Sequence, residues 1–292
     1  MTGAFGNVAV IMVPRIYGAS ELGVLAITAP GEVHPRVEYV GGELFVGLDE
    51  EPDGVAITQG QAEGWSTEFR EVVASAVASA AALPEAVDGV IVVEDERVAA
   101  SVLLEPSRAA ARALDGDPVV FALSRQRLAI VGAEDEAGLE RVLDLAEELY
   151  DSGGPLVSAH PLVLADGAWA PFSWSERVPS LAMRFQRMIR LFSVRAYEAQ
   201  GVALRRPDVH IADPKIQVLD TGVTSTFATW PKGTATLLPV VDNVIVADPA
   251  GTVSVATLNQ FLDAAGEAVV RTGLSPARYF VPGEPPRSSR PE

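Results

Sequence analysis

Three stretches of the chain show apolar and polar positions in the order strand, turn, strand, helix. The clearest runs from Pro118 to Tyr150. Val119-Val120-Phe121-Ala122-Leu123 is a β-branched and aromatic run that predicts a buried strand, and Ser124-Arg125-Gln126-Arg127 is a polar turn. Leu128-Ala129-Ile130-Val131 predicts the returning strand, ended by Gly132. Leu139, Val142, Leu143, Ala146 and Leu149 then recur at three- and four-residue spacing, which predicts a helix with one apolar stripe. A looser version opens the chain. Arg36 to Val40 and Leu44 to Leu48 flank Gly41-Gly42, a turn that tolerates positive φ, and a helix is expected from Ser66 or Thr67, with an interior of Val, Ala and Ser from Val72 to Leu83. The third version lies near the C-terminus. Thr236 to Val240 and Val244 to Ala247 flank Val241-Asp242-Asn243, and a helix is expected from Ser254 to Val270 with Leu258, Phe261, Leu262, Ala265 and Val269 as its stripe.

Repeated hairpin–helix units of this kind predict an α+β fold, an antiparallel or mixed sheet with helices packed on one face. Residues 1–152 form the first expected region and residues 175–281 the second. Between them residues 153–174, with Gly153-Gly154-Pro155, Pro161, Gly167 and Pro171 around Trp169, Phe172 and Trp174, predict a packed aromatic connector. Residues 282–292, rich in Pro, Ser and Arg, have the composition of a disordered tail.

Charge changes the picture more than composition does. The net charge is −17, from 22 basic and 39 acidic residues, which disfavours nucleic acid and favours either plain solubility or a basic protein partner. The absence of cysteine excludes disulfides, iron–sulfur clusters and thiol nucleophiles. No basic leader precedes the short apolar run Val8 to Val13, and the charge-free stretch Val72 to Pro84 falls short of the ~20 residues of a membrane span, so a cytoplasmic protein without a membrane partner is expected.

The residues Gly64-Trp65-Ser66, Gly116-Asp117-Pro118-Val119-Val120, Arg125-Gln126-Arg127-Leu128-Ala129-Ile130-Val131-Gly132, Asp135-Glu136-Ala137-Gly138-Leu139, Asp166-Gly167-Ala168-Trp169 and Tyr197-Glu198-Ala199-Gln200 resemble, in order and spacing, the YtpQ-like family of uncharacterised bacterial proteins. The likeness spans about half the chain. It departs from the family where Ser124-Arg125-Gln126 stands in place of Asn-Arg-Asp, and over the first fifty residues. What it implies is a fold and a cytoplasmic setting, without an activity.

Candidate chemistry is sparse. No phosphate loop, dinucleotide fingerprint, zinc-helix motif or nucleophile elbow occurs, and no cofactor or metal is expected. The carboxylate groups Asp49-Glu50-Glu51-x-Asp53 and Glu94-Asp95-Glu96 are expected to be solvated at strand ends. His34 and His160 each precede proline in loops. Asp208 and His210 would share a face of a strand and form a candidate acid–base pair. From Ser175 to Arg206 the chain carries seven arginines against two glutamates, on a helix with an apolar arc of Leu181, Phe185, Met188, Ile189 and Phe192. Arg184, Arg187 and Arg190 on that helix could hold an anion or pair with the acidic helix of residues 134–151, whose Glu147, Glu148 and Asp151 sit at the unfavourable end of its dipole. Two functions follow. One is a non-enzymatic protein-binding module, of which an immunity-type inhibitor of a basic partner is one form. The alternative is an enzyme or sensor for a small anion or nucleotide at the arginine helix. The net charge and the missing motifs favour the first.

Overall fold

The computed structural model describes residues 11–283 apart from 30, 52, 53, 79 and 221. The fold is α+β, and its chain divides into two units. The first comprises residues up to Gly18, Ala29–Leu139 and His160–Phe172; the second comprises Ala19–Thr28, Glu140–Ala159 and the chain from Ser173 onward.

In the first unit β1 (Ile11–Gly18), β2 (Val37–Gly41), β3 (Leu44–Glu51) and β4 (Val55–Ala56) form one antiparallel sheet with β3 at its centre. The expected Gly41-Gly42 hairpin is β2–β3. A second antiparallel sheet has the order β5-β7-β6-β8-β9, from β5 (Ile91–Val93), β6 (Pro118–Ala122), β7 (Leu128–Gly132), β8 (Leu162–Ala165) and β9 (Ala168–Pro171). The hairpin β6–β7 forms in the expected register, and Val119, Val120, Leu128, Ala129, Ile130 and Val131 have no exposed surface. That unbroken apolar run is what a strand covered on both faces needs.

Helices α2 (Gln59–Glu63), α3 (Phe69–Ala78), α4 (Glu96–Leu104) and α5 (Ser107–Ala110) complete the first unit. Thr58 and Gln61 make a capping box at α2, and the helix expected from Ser66 or Thr67 begins at Phe69, burying Val73 and Val77. Residues 162–171, expected within a connector, form instead the hairpin β8–β9, which extends the sheet. Asp166 and Gly167 (φ 50° and 80°) supply the two left-handed positions of its turn.

Helix α6 (Glu136–Asp151) bridges the division of the chain at Leu139/Glu140 and buries Leu139, Val142, Leu143 and Ala146 completely, with Leu149 half-buried. The second unit holds α1 (Ala19–Thr28), α7 (Trp174–Arg177), α8 (Ala182–Leu204) and α9 (Leu258–Ala265). Gly23 of α1 lies so close to the Ser275 carbonyl that no side chain fits there. Two sheets accompany these helices. One has the order β10-β13-β17-β16, from β10 (His210–Ile211), β13 (Thr236–Pro239), β16 (Val270–Arg271) and β17 (Arg278–Val281). The other has the order β11-β12-β14-β15, from β11 (Lys215–Val218), β12 (Thr224–Pro231), β14 (Asn243–Ala247) and β15 (Val253–Thr257), with β12 and β14 parallel.

Two expectations are corrected in this unit. Thr236–Pro239 and Asn243–Ala247 do not form a hairpin, because they lie in different sheets. The helix expected from Ser254 starts at Leu258, since Val253, Ser254, Val255 and Ala256 pair with β14 as a strand and Thr257 with Gln260 caps the helix. The tail expected from Pro282 lies, from Glu284 onward, outside the described residues.

Candidate functional site

The arginine helix α8 runs from Ala182 to Leu204 and buries Phe185, Met188, Leu191, Phe192, Val194 and Tyr197. Its outer arginines already have acidic neighbours. Arg184 donates to Glu140 (3.3 Å) and Asp144 (2.6 Å) and lies 3.8 Å from Glu147. Arg187 Nε lies 3.4 Å from Glu147 Oε1. Burial opposes the charge of Arg184, but the hydrogen bond and charge of Asp144, with Glu147 and Glu140, hold its guanidinium above its ordinary pKa. Arg195 donates to the carbonyls of Tyr150 and Gly153 and its guanidinium lies 4.9 Å over the Tyr150 ring. A cation at the end of α6 thus meets the negative end of the helix dipole, where the sequence had placed only acids.

Arg190 takes part in a different structure, the corner between β13 and β14. Its Nε and Nη2 donate to the two carboxylate oxygens of Asp242 at 3.0 and 3.1 Å. Asp242 Oδ2 also accepts from the Thr226 N–H (2.7 Å) and the Thr226 hydroxyl (2.8 Å), while the Asp242 N–H donates to Thr226 Oγ1 (3.0 Å). The Asp242 carbonyl accepts the Leu258 N–H (3.1 Å) at the start of α9. Burial opposes ionisation of Asp242, yet the bonds from Arg190 and Thr226 outweigh it and hold the carboxyl below its ordinary range. One side chain therefore ties α8, β12 and the corner together, and its main chain reaches α9.

Asp208 precedes β10, Asp208 and His210 are both exposed, and no hydrogen bond or ion pair joins them. Among the described residues no group of three or more His, Asp or Glu is placed to hold a metal ion. His160 Nε2 lies 3.9 Å from Glu43, and His34 Nδ1 lies 3.1 Å from the Pro35 carbonyl oxygen.

The carboxylate groups expected to be solvated behave otherwise in part. Asp49 is buried in β3, where it accepts from Arg15 and from the Tyr17 hydroxyl (3.1 Å). Burial and the Asp49 charge push the Tyr17 hydroxyl well above its ordinary pKa. Asp95 caps α4 through the Val98 N–H (2.9 Å), and Glu94 receives Arg127 (2.7 Å). Burial pushes the Glu96 carboxyl up, with Asp49 and Asp95 adding to the rise against the pull of Arg15. Asp53 lies outside the described residues.

Sequence reasoning also missed Arg278, which has no exposed surface. It donates to Gln200 Oε1 (2.6 Å) and to the carbonyls of Ala212 (2.7 Å), Leu237 (3.1 Å) and Tyr197 (3.0 Å). Burial lowers its pKa against the pull of Tyr197 and Asp213, and its role is to join α8 to the β10-β13-β17-β16 sheet. No local pattern around Ala277-Arg278-Tyr279 announces this, because the acceptors come from three distant segments.

The surface feature that remains is β15. Thr226, Ala228 and Val244 of its sheet point into the core, so the alternate residues Phe227, Thr229, Ile245, Val253 and Val255 share the other face. Val253 and Val255 are 64% and 65% exposed. Strand β15 is an edge of this sheet, and among the described residues no strand pairs with its outer side. It carries no charge, no proline and no bulge, the features that usually blunt an edge.

Comparison with protein-family models, curated proteins and solved structures gave no match to this chain.

Proposed function

We propose that this chain is a non-enzymatic, cytoplasmic protein-binding module that receives an extended, basic segment of a partner along β15. The observation that carries the reading is the uncharged, unblunted edge strand with Val253 and Val255 outward. Strand addition supplies main-chain hydrogen bonds, alternate side chains supply apolar contact, and the net charge of −17 favours a cationic partner. A second copy of the chain is disfavoured by its own charge of −17. An immunity-type inhibitor of a basic protein is one form this module takes, and the likeness to the YtpQ-like family is compatible with it.

The alternative, anion chemistry at Arg184, Arg187 and Arg190, has weaker support, since carboxylates already stand against all three. Titration with a synthetic peptide of alternating valine and lysine tests the reading. Saturable binding that weakens with salt is expected, and Val255→Lys should weaken it by about tenfold or more, equal to about 1.4 kcal/mol, with the melting temperature unchanged. Equal binding of a valine–glutamate peptide, or an indifferent Val255→Lys variant, would refute it.

A further inference from the structure

The second unit contains a cleft that the protein-binding reading does not use. It has a volume of about 660 Å³, inside the range of roughly 300–1,000 Å³ found for small-molecule sites. Its walls are apolar. Trp230 and Val246 come from the sheet, Phe261, Ala264 and Ala265 from α9, and Val281 from β17. The helical wall explains why the cleft exists. Phe261 and Ala265 belong to the stripe expected to be packed, and Ala264 and Ala268 line the cleft beside them. Three of the four are alanine, too small to close the space.

The walls are fixed before anything binds. The Trp230 and Phe261 rings meet edge to face at 5.4 Å, and the indole N–H is committed to the Thr234 carbonyl (3.1 Å). Trp230 therefore offers the cleft carbon surface alone. At the rim Lys232 donates to Asp248 Oδ2 (2.8 Å), and Asp248 Oδ1 accepts the Ala250 N–H (2.9 Å). Both carboxylate oxygens are thus engaged, and the Lys232 hydrogen bond with the Ala250 N–H holds Asp248 below its ordinary range. Lys232 has further N–H donors and a side chain that is 56% exposed. Lys232 thus keeps N–H donors at the mouth beside its carboxylate partner, and it is the only cation among the described residues that line the cleft.

We infer that this cleft binds a small hydrophobic acid, an aryl or branched-alkyl body seated between Trp230 and the alanine face of α9 with its anionic group on Lys232. The inference stands apart from the β15 edge and needs no covalent chemistry.

The test uses the full chain and two fluorescent probes, anilinonaphthalene sulfonate and its uncharged relative phenylnaphthylamine. Both should saturate one site and take energy from Trp230, a signal reduced in Trp230→Phe, which leaves Trp65, Trp169 and Trp174 in place. Lys232→Met should weaken the sulfonate by about tenfold and the neutral probe by less than about twofold. Ala265→Leu, which fills the cleft, should weaken both by about tenfold or more without lowering the melting temperature; Ala264→Val serves the same purpose if the larger change unfolds the protein. Val255→Lys should leave both probes bound as in the wild type, which separates this site from the partner edge. Wild-type affinity in both cleft-filling variants, non-saturating binding, or an equal effect of Lys232→Met on the two probes would overturn the assignment.

Discussion

Replacement of Asp242 by alanine probes the corner that local sequence misreads. In the native structure its carboxylate accepts the Thr226 N–H, the Thr226 hydroxyl and two bonds from Arg190. Thr226 is 7% exposed, so its N–H, once deserted, has little access to water. An unsatisfied buried donor costs about 1–3 kcal/mol. The ion pair with Arg190 is 22% and 38% exposed on its two sides, and solvent screening limits its contribution to about 0–1 kcal/mol. The Thr226 hydroxyl can turn to another acceptor and adds little. Asp242→Ala should therefore destabilise the protein by about 1–4 kcal/mol, read as a lower urea midpoint. The pH dependence has a definite sign. A carboxyl whose folded pKa lies below its unfolded value, near 4 for a free aspartate, contributes stability above that value and loses it as pH falls through the folded pKa. The penalty of the variant should be full at pH 7 and shrink below about pH 4. A loss below about 0.5 kcal/mol, or one matched in full by Arg190→Ala, would refute the account in which Thr226 carries most of the cost.

Glu96→Gln should raise the urea midpoint at pH 7 to 8. The folded carboxyl sits above its ordinary pKa, so folding is penalised once it ionises. The gain should vanish below about pH 4, where the side chain at position 96 is neutral in both proteins; a gain independent of pH would contradict the electrostatic cause. Replacing Arg184 and Arg187 together by glutamine should cost no more than about 2 kcal/mol, and less at high salt, because these are half-exposed pairs. Millimolar phosphate should leave the wild-type melting temperature where it is, and a rise abolished by the double change would restore the anion reading.

What could be read from sequence follows the range of the deciding interaction. The β6–β7 hairpin and α6 were legible because their periodicity, turn and stripe lie within one stretch of chain. The Asp166-Gly167 turn and the Asp95 cap of α4 were equally local, and the aromatic density around the first and the clustered acids around the second masked them. The corner at Asp242 was not legible, since Val241-Asp242-Asn243 reads as a turn while Thr226, sixteen residues away, and Arg190, fifty-two away, decide its geometry. The burial of Asp49 depends in the same way on Arg15 and Tyr17 in another strand. Strand β15 was absorbed into a helix because the stripe of α9 continues smoothly from it, although the alternation of Val253, Ser254 and Val255 marks a strand. Val255 of the candidate surface therefore lay inside an element assigned the wrong period, and Val253 just before it. Of the candidate residues, the arginines sit on the expected helix, whereas Asp208 and His210 needed a strand that starts only at His210.

The most direct test of the partner edge is amide hydrogen exchange across Val253–Thr257, with and without the valine–lysine peptide. The outward N–H groups of β15 should exchange quickly in the free protein and become protected as the peptide saturates, while amides of β11, the opposite edge, stay unchanged. Binding that leaves β15 unprotected, or protects β11 in its place, would contradict strand addition at this edge.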